Sequence, residues 1–337
     1  MQPAAARKNV RDHVPGGVLI QTVNSPRPVD GVLLLDKPVG ITSNGAIQRV
    51  KRLLRAAKAG HVGTLDPLAS GLLPVCLGEA TKFSTGTFGA DKSYDAEILL
   101  GVTTTTGDTE GGVTSRRVAA VARDRVEDVL RKFSGPIAQT PPMYSALKRN
   151  GKPLYAYARA GQTVDREPRN ITIHSIVTRG FAFDRLQISV HCSKGTYIRV
   201  LAEDIGQALG CGGTLAGLRR TTLGAFDLAQ AVTLERLEGW AETRRLECML
   251  PVDSLVQGLP RMVLNAEAVR RLQMGQANQL DDTNINGLIR LYDMNQQFLG
   301  LGDVLHGGRL VAKRLLAISF AKPVDIRDAE LQAPKNA

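Results

Sequence analysis

Apolar residues fall into two patterns along this chain, continuous runs and helical repeats, and the two alternate. From Gly31 the run Val32-Leu33-Leu34-Leu35 predicts a buried strand, ended by the turn Asp36-Lys37-Pro38-Val39-Gly40. Thr42, Ser43 and Asn44 are N-cap candidates for a helix that sets Ile47, Val50 and Leu54 on one face. Leu72-Leu73-Pro74-Val75-Cys76-Leu77 reads as another buried strand, with Pro74 expected at an edge or a bulge. Tyr94 to Leu100 alternates as a strand and runs into a Thr-rich loop ending at Gly111-Gly112. Val126, Val129, Leu130 and Phe133 then mark an amphipathic helix. Strand-like runs return at 171–173 and 186–191. Helices and strands mix without a strict βαβ repeat, which predicts an α+β fold with a mixed, largely antiparallel central sheet flanked by helices.

The pattern also divides the chain. Residues 1–29 are polar and rich in Pro, Ala and Arg, without periodicity, and are expected to form a flexible N-terminal arm. Residues 30–250 carry the runs just described. After Pro251 the segments shorten, as in 287–292 and 297–302, preceded by one helix capped by Asn265 and ended near Gly275. Residues 251–318 therefore predict a small β-rich domain, near the lower limit for independent folding. Residues 319–337 look like a tail.

Charge changes the picture more than composition does. The chain has 337 residues, 43% of them hydrophobic, and its 43 Lys and Arg exceed its 32 Asp and Glu, giving a net charge of +11. Such an excess favours a polyanionic partner, because neutralised phosphates release condensed counterions. Tyr144, Tyr155 and Tyr157 interleave with Lys148, Arg149, Lys152 and Arg159, a pattern suited to RNA. No apolar run reaches the ~18 residues of a membrane span, and the N-terminus has no apolar core of a secretory signal. Cys76, Cys192, Cys211 and Cys248 form no C-x-x-C pair, and His191 and Cys192, neighbours on a strand, point to opposite faces. The expectation is a cytoplasmic protein with reduced thiols and no metal.

Gly60-His61-Val62-Gly63-Thr64-Leu65-Asp66-Pro67-Leu68-Ala69-Ser70-Gly71 reads as a loop, too rich in Gly and Pro for a helix. Pro67 pushes Asp66 toward extended geometry. A carboxylate on a constrained, glycine-flanked loop suits the approach of a bulky ligand backbone, and His61 could hydrogen-bond a phosphate or a base. An aspartate in such a segment most often caps a turn, so the residues alone leave both readings open.

Further motifs extend the pattern. They are Asp36-Lys37-Pro38-x-Gly40, the Gly60–Gly71 segment, Gly78-Glu79-Ala80-Thr81-Lys82, Lys92-x-Tyr94 and Gly101-x-x-Thr104-x-Thr106-x-Asp108-x-x-Gly111. Pro142-x-Tyr144-Ser145-Ala146-x-Lys148, Cys192-Ser193-Lys194-Gly195-Thr196-Tyr197-Ile198-Arg199 and Leu218-Arg219-Arg220 follow. In this order, over about residues 31 to 220, they resemble the TruB family of bacterial type, synthases that make pseudouridine at the T-loop uridine, position 55, of tRNA. The C-terminal part resembles the PUA RNA-binding domain more loosely. Val62 stands where that family often has Thr, and the N-terminal arm is longer than usual.

The resemblance implies the pseudouridine synthase fold and assigns roles. Asp66 would be the essential aspartate, paired with Arg199, and Tyr197 the candidate base acting on C5. Tyr94 would stack on a flipped uracil, Leu218 line the pocket and His61 help to hold the extruded nucleotide. Lys37 and Pro38 would support the loop, Asp108 would contact substrate, and Lys82 belongs to the same binding set. Residues 142–165 would be an insertion gripping the T-arm of tRNA. The reaction breaks the N1–C1′ bond, turns the base and joins C5 to C1′, without redox change or group transfer, so no cofactor is expected. A carboxylate can stabilise positive character at C1′, as in glycosidases. One chain acting on one RNA arm, as a monomer, is the expected state. A non-catalytic RNA-binding or RNA-folding protein would share the charge, and a nucleoside hydrolase would share the carboxylate. The hydrolase also needs a second acid, for which Asp108 is the one candidate.

Overall fold

Alternate residues of the first strand serve different cores. β1 (Gly31–Lys37) sends Leu33 and Leu35 into one apolar cluster and Val32 and Leu34 into another, so it is buried on both faces. The structure, a computed structural model, describes residues 27–87, 89–280 and 284–317. Residues 1–26 of the expected arm, and the expected tail, lie outside the described residues.

α1 (Ser43–Leu53) starts at Thr42, whose hydroxyl accepts from the Gly45 amide at 3.0 Å and so acts as the N-cap. β2 (Ala59–His61) and β3 (Ala69–Leu77) then enclose a loop of residues 62–68. This is shorter than the expected 60–71, because Gly60 pairs with Cys76 and Gly71 with Lys37 across antiparallel ladders. Glycine excludes a helix there but not a strand. Pro74 is another difference. It lies inside the sheet, opposite Leu34, rather than at an edge or bulge. On the other side of β3, residues 69–71 pair with one strand and 75–77 with β2, and Pro74 falls between them. Its missing N–H is therefore not needed by a ladder, while its carbonyl accepts from the Val62 amide at 3.0 Å.

β4 (Lys92–Leu100) leads to a small hairpin of β5 (Val102–Thr104) and β6 (Val113–Arg116) that frames the Thr-rich loop. α2 (Arg123–Lys132) buries Val126, Val129 and Leu130, as its spacing predicts, and β7 (Gly135–Gln139) follows. Within 142–165 stand β8 (Lys148–Arg149), β9 (Lys152–Pro153) and α3 (Leu154–Arg159). Its tyrosines and basic residues meet face to face, with Lys152 4.6 Å from the Tyr157 ring centre and Arg159 5.4 Å from that of Tyr155. β10 (Arg169–Ala182) and β11 (Arg185–Cys192) form a long hairpin, well beyond the short apolar runs that mark it in the sequence. α4 (Ile198–Leu209) and β12 (Gly213–Leu223) complete the middle of the sheet. β13 (Phe226–Asp227), β14 (Val232–Thr233), α5 (Leu234–Gly239) and α6 (Glu242–Glu247) close this part of the chain.

The ten strands run β14-β1-β3-β12-β4-β11-β10-β7, with β2 on β3 and β13 on β12. Only β3–β12 and β1–β14 are parallel, so the sheet is mixed and largely antiparallel. α1, α2, α4 and α5 pack on one face around the larger core. β15 (Arg261–Val263), α7 (Ala266–Gln273), β16 (Asn278–Gln279), β17 (Gly287–Tyr292), β18 (Phe298–Leu305) and β19 (Arg309–Leu315) make a second, five-stranded sheet unit. Asn265 caps α7 by accepting from the Ala268 amide at 2.9 Å. This unit docks on the other face of the large sheet, where Phe298 meets Phe83 at 5.4 Å between ring centres. Among the described residues no helix is long and apolar enough to cross a membrane.

Candidate active site

The loop between β2 and β3 is held at almost every residue. The Ser43 hydroxyl, buried at the start of α1, both donates to the Leu65 carbonyl and receives the Leu65 amide, each at 2.8 Å. Arg220 donates to the Gly63 carbonyl at 2.8 Å, and the Gly40 amide donates to the Pro67 carbonyl, also at 2.8 Å. The Ala69 amide donates to the Asp66 carbonyl at 3.1 Å. Lys37, fully buried, turns its ammonium onto the Pro38 and Ile41 carbonyls at 2.8 and 2.7 Å and so shapes the turn that carries Gly40. Gly71 must be glycine. Its φ is +98°, and a Cβ there would come within 2.4 Å of the Arg220 carbonyl, which the parallel pairing of β3 and β12 brings close. The Asp66 carboxylate is thus presented on a fixed backbone, with its side chain 48% exposed.

A cleft of about 210 Å³ opens over it, walled by Asp66, Tyr94, Tyr144, Tyr197, Arg199 and Leu218. Arg199, on the first turn of α4, has a side chain only 7% exposed and four acceptors. Its guanidinium lies 3.2 Å from Asp66 Oδ2 and 3.5 Å from Asp108 Oδ2, and donates to the Thr106 carbonyl at 3.1 Å and the Tyr144 carbonyl at 2.6 Å. Tyr94 enters from β4 and Leu218 from β12. The Tyr197 backbone is clamped by Gln139, which accepts from the Tyr197 amide at 2.7 Å and donates to its carbonyl at 3.1 Å.

Other residues singled out from the sequence lie around this cleft rather than in it. Asp108 is buried beneath Arg199 and fixed by the Thr106 hydroxyl, so its carboxylate faces the guanidinium and not the cleft. The substrate contact drawn from the resemblance does not match that placement. Lys82 pairs with Glu79 at 2.6 Å and reaches the Leu315 carbonyl at 3.3 Å, joining the large sheet unit to the C-terminal one away from the cleft. His61 sits beside the Asp66 loop, 3.2 Å from the Thr64 hydroxyl, and Pro38 contributes only its carbonyl to Lys37. Three residues without an expected role at the site, Ser43, Gln139 and Arg220, hold it together. Ser43 carries the signal of a helix cap, a role that Thr42 performs. Nothing local marks Gln139, and Arg220 stands out only as the end of the Leu218-Arg219-Arg220 motif, with no role attached to it.

Burial dominates the electrostatics. It pushes the phenols of Tyr94 and Tyr197 above their ordinary value, so both stay protonated at neutral pH, and Tyr197 is a proton donor or relay sooner than a free base. Burial, helped by Arg220, holds His61 below the usual imidazole value and therefore neutral. Burial also lowers Lys37 to about 8, against the opposing pull of Asp66 and Glu110. Between pH 8 and 10.5 the folded chain thus binds fewer protons at Lys37 than the unfolded chain, and stability from this group rises with pH across that window. Wild type should gain stability over Lys37→Met on going from about pH 7.5 to about pH 9.5 in urea titrations; parallel curves would contradict the assignment. Outside the cleft, Asp91, His174 and His191 bring metal-capable atoms within 4.8 Å of one another on a partly exposed face. There His174 pairs with Asp91 at 3.1 Å and His191 with the Ser93 hydroxyl at 3.1 Å.

With this geometry in place, comparison with known proteins defines the class. Residues 51–198 match the N-terminal domain of the TruB family pseudouridylate synthases. Residues 199–257 match the tRNA pseudouridylate synthase B C-terminal domain, and 260–316 the C-terminal domain of pseudouridine synthase II TruB. The tRNA pseudouridine synthase B of Methylobacillus flagellatus is 52% identical over 86% of this chain and 96% of its own. That of Dechloromonas aromatica is 52% identical over 87% of this chain and 97% of its own. Among solved structures, the archaeal box H/ACA sRNP Nop10-Cbf5 complex superposes with a TM-score of 0.64 at 26% identity, covering 86% of each chain. The chain belongs to the TruB family. It is an isomerase that converts uridine to pseudouridine in tRNA.

Proposed function

We propose that the uridine converted is the T-loop uridine of tRNA, position 55, and that it reacts after swinging out of its stack into the Asp66 cleft. The observation that carries this reading is the Asp66–Arg199 pair, 3.2 Å apart at the floor of a cleft sized for one base and its ribose. A T-loop nucleotide is outside regular duplex, so its extrusion costs less than the few kcal/mol needed to unpair a helical base. Tyr94 stacks on the base, a contact of roughly 1–3 kcal/mol. Leu218 closes the opposite wall, and His61, neutral beside the loop, supports the extruded nucleotide.

In this mechanism the N1–C1′ bond breaks with its electron pair on the uracil, and the Asp66 carboxylate meets the electron deficiency at the sugar. The base turns, C5 bonds to C1′, the C5 proton leaves and N1 is reprotonated, so atoms and charge balance without a co-reactant. Tyr197 relays that proton. The hydrolase alternative needs a second acid in the cleft, and Asp108 is turned into Arg199 instead. We read one chain acting on one RNA arm, as a monomer. We read residues 30–250 as the catalytic part, with 142–165 gripping the T-arm, and 251–318 as an RNA-binding domain.

The test is to treat an unmodified tRNA transcript with the protein and map pseudouridines by mass spectrometry. One pseudouridine at position 55, absent when that uridine is replaced by cytidine, is the expected result. Modification at another position would overturn the assignment.

A further inference from the structure

Arg220 carries a charge that no carboxylate among the described residues answers. It is 0% exposed, donates to the Leu72 and Gly63 carbonyls at 2.8 Å each, and its buried Nη1 makes no close hydrogen bond, with the neutral Tyr94 phenol as the guanidinium's polar neighbour. Among the described residues no carboxylate pairs with it. The contrast with its neighbour is sharp, since Arg219 forms an ion pair with Asp36 at 2.6 Å. A buried guanidinium without a counterion is costly, by several kcal/mol, and a loop could be tied to a strand by a neutral side chain. The charge itself calls for an explanation.

Its surroundings point to one. Arg220 lies two residues beyond the cleft-lining Leu218, and its guanidinium adjoins both Gly63 at the root of the Asp66 loop and the Tyr94 phenol. The residues that feel its charge are His61, Lys37, Lys92 and Tyr94, the last of which lines the cleft. None of these opposes it: two are cationic and two neutral. Arg220 thus places a buried positive charge behind the Tyr94 phenol and the root of the Asp66 loop, while the Asp66 charge is met by Arg199.

We infer that Arg220 is a positioning residue with an electrostatic role, supplying the positive potential that stabilises the uracil anion released when the N1–C1′ bond breaks. The inference rests on the function proposed above. In that step the electron pair of the bond passes to N1 and spreads over O2 and O4, while Asp66 answers the deficient sugar carbon. A fixed, desolvated charge aimed at developing negative charge acts without reorganisation at the moment of reaction. Arg220 also holds Gly63 and stands against Tyr94, so the same side chain sets the carboxylate on one side and the stacking ring on the other.

The leaving base gives the test. Arg220→Met and Arg220→Lys are compared with wild type under single-turnover conditions, on tRNA carrying uridine or 5-fluorouridine at the target position. The readout is loss of the N-linked nucleoside after nuclease digestion, with RNA affinity and melting temperature measured in parallel. 5-Fluorouracil is the more acidic base and needs less help to depart as an anion. Arg220→Met should slow uridine about 100-fold, with RNA affinity changed less than about threefold. The loss should shrink at least severalfold on 5-fluorouridine, and Arg220→Lys should retain most of the rate. Equal losses on both substrates would make Arg220 a structural tie only and overturn the inference. If Arg220→Met does not fold, the lysine variant decides: a loss as large as about 100-fold in folded protein, equal on both bases, has the same meaning. Failure of the underlying reading shows separately, as undiminished turnover by Asp66→Asn.

Discussion

Asp66→Asn is expected to lower pseudouridine formation at least about 10⁴-fold, while the dissociation constant for tRNA changes less than about threefold. The asymmetry follows from where the carboxylate stands. Its side chain is 48% exposed in the cleft and makes none of the bonds that hold the loop, which run through Ser43, Gly40 and Arg220 to backbone atoms. Asparagine fits the same space and leaves Arg199 with Asp108 and two carbonyls. The folded state should be unchanged within ~0.5 kcal/mol. What disappears, on the function proposed above, is the negative charge beside the ribose. RNA affinity resides in phosphate contacts made by the basic surface, and one carboxylate fewer in a cleft entered by a single nucleotide alters them little. Tritium release from 5-labelled uridine, beside a binding titration at fixed salt, measures both quantities. Turnover within about tenfold of wild type would remove Asp66 from the chemistry.

What can be read from the sequence depends on whether the information is local. β1, α1, α2 and the Asn265-capped α7 each announce themselves by a run, a spacing or a cap within about a dozen residues. α4 has the same kind of signal, with Ile198, Leu201, Ala202 and Ile205 all buried on one face, although its start stands out first as part of a motif. β12 has none. Its two arginines, its glycines and its two register shifts against β4 break any alternation, and its largest fully buried side chain is a charged one. The loop is shorter than the expected 60–71 because glycine bars a helix without barring a ladder, and both of its ends are paired.

The site shows the same limit more strongly. Asp66 and Arg199 stand far apart in the chain and meet only because β3, β12, β4 and α4 are neighbours in space. No spacing rule joins them; the likeness of motifs does. That likeness carries Asp108 along as a substrate contact, whereas the fold uses it to hold Arg199 from behind. Residues whose work is to support others show no supporting role in the sequence: Gln139 has no motif, Ser43 reads as a cap and Arg220 as the end of a motif, because a buried polar group is defined by its neighbours.

Arg199→Gln should cost about 10³-fold in single-turnover rate and also lower stability, and the two losses can be separated. Arg199 bridges two carboxylates of opposite situation, the half-exposed Asp66 and the buried Asp108, and also joins the loop at Thr106 to the insertion at Tyr144. Glutamine cannot span four acceptors and carries no charge. Asp108, whose side chain is 6% exposed, would then keep its charge with only the Thr106 hydroxyl and the Glu110 amide as partners. Breaking a buried pair from one side costs about 3–5 kcal/mol. Adding Asp108→Asn removes the stranded charge, so the double variant Arg199→Gln/Asp108→Asn should recover most of the lost stability. It should not recover rate, because Asp66 still lacks the guanidinium that orients it and the Tyr144 carbonyl still lacks its donor. Urea denaturation and single-turnover assays on the four proteins of this cycle separate the two effects. Rate returning together with stability would mean that Arg199 serves the fold alone. Stability returning without rate assigns it to the alignment of Asp66 with the insertion at Tyr144.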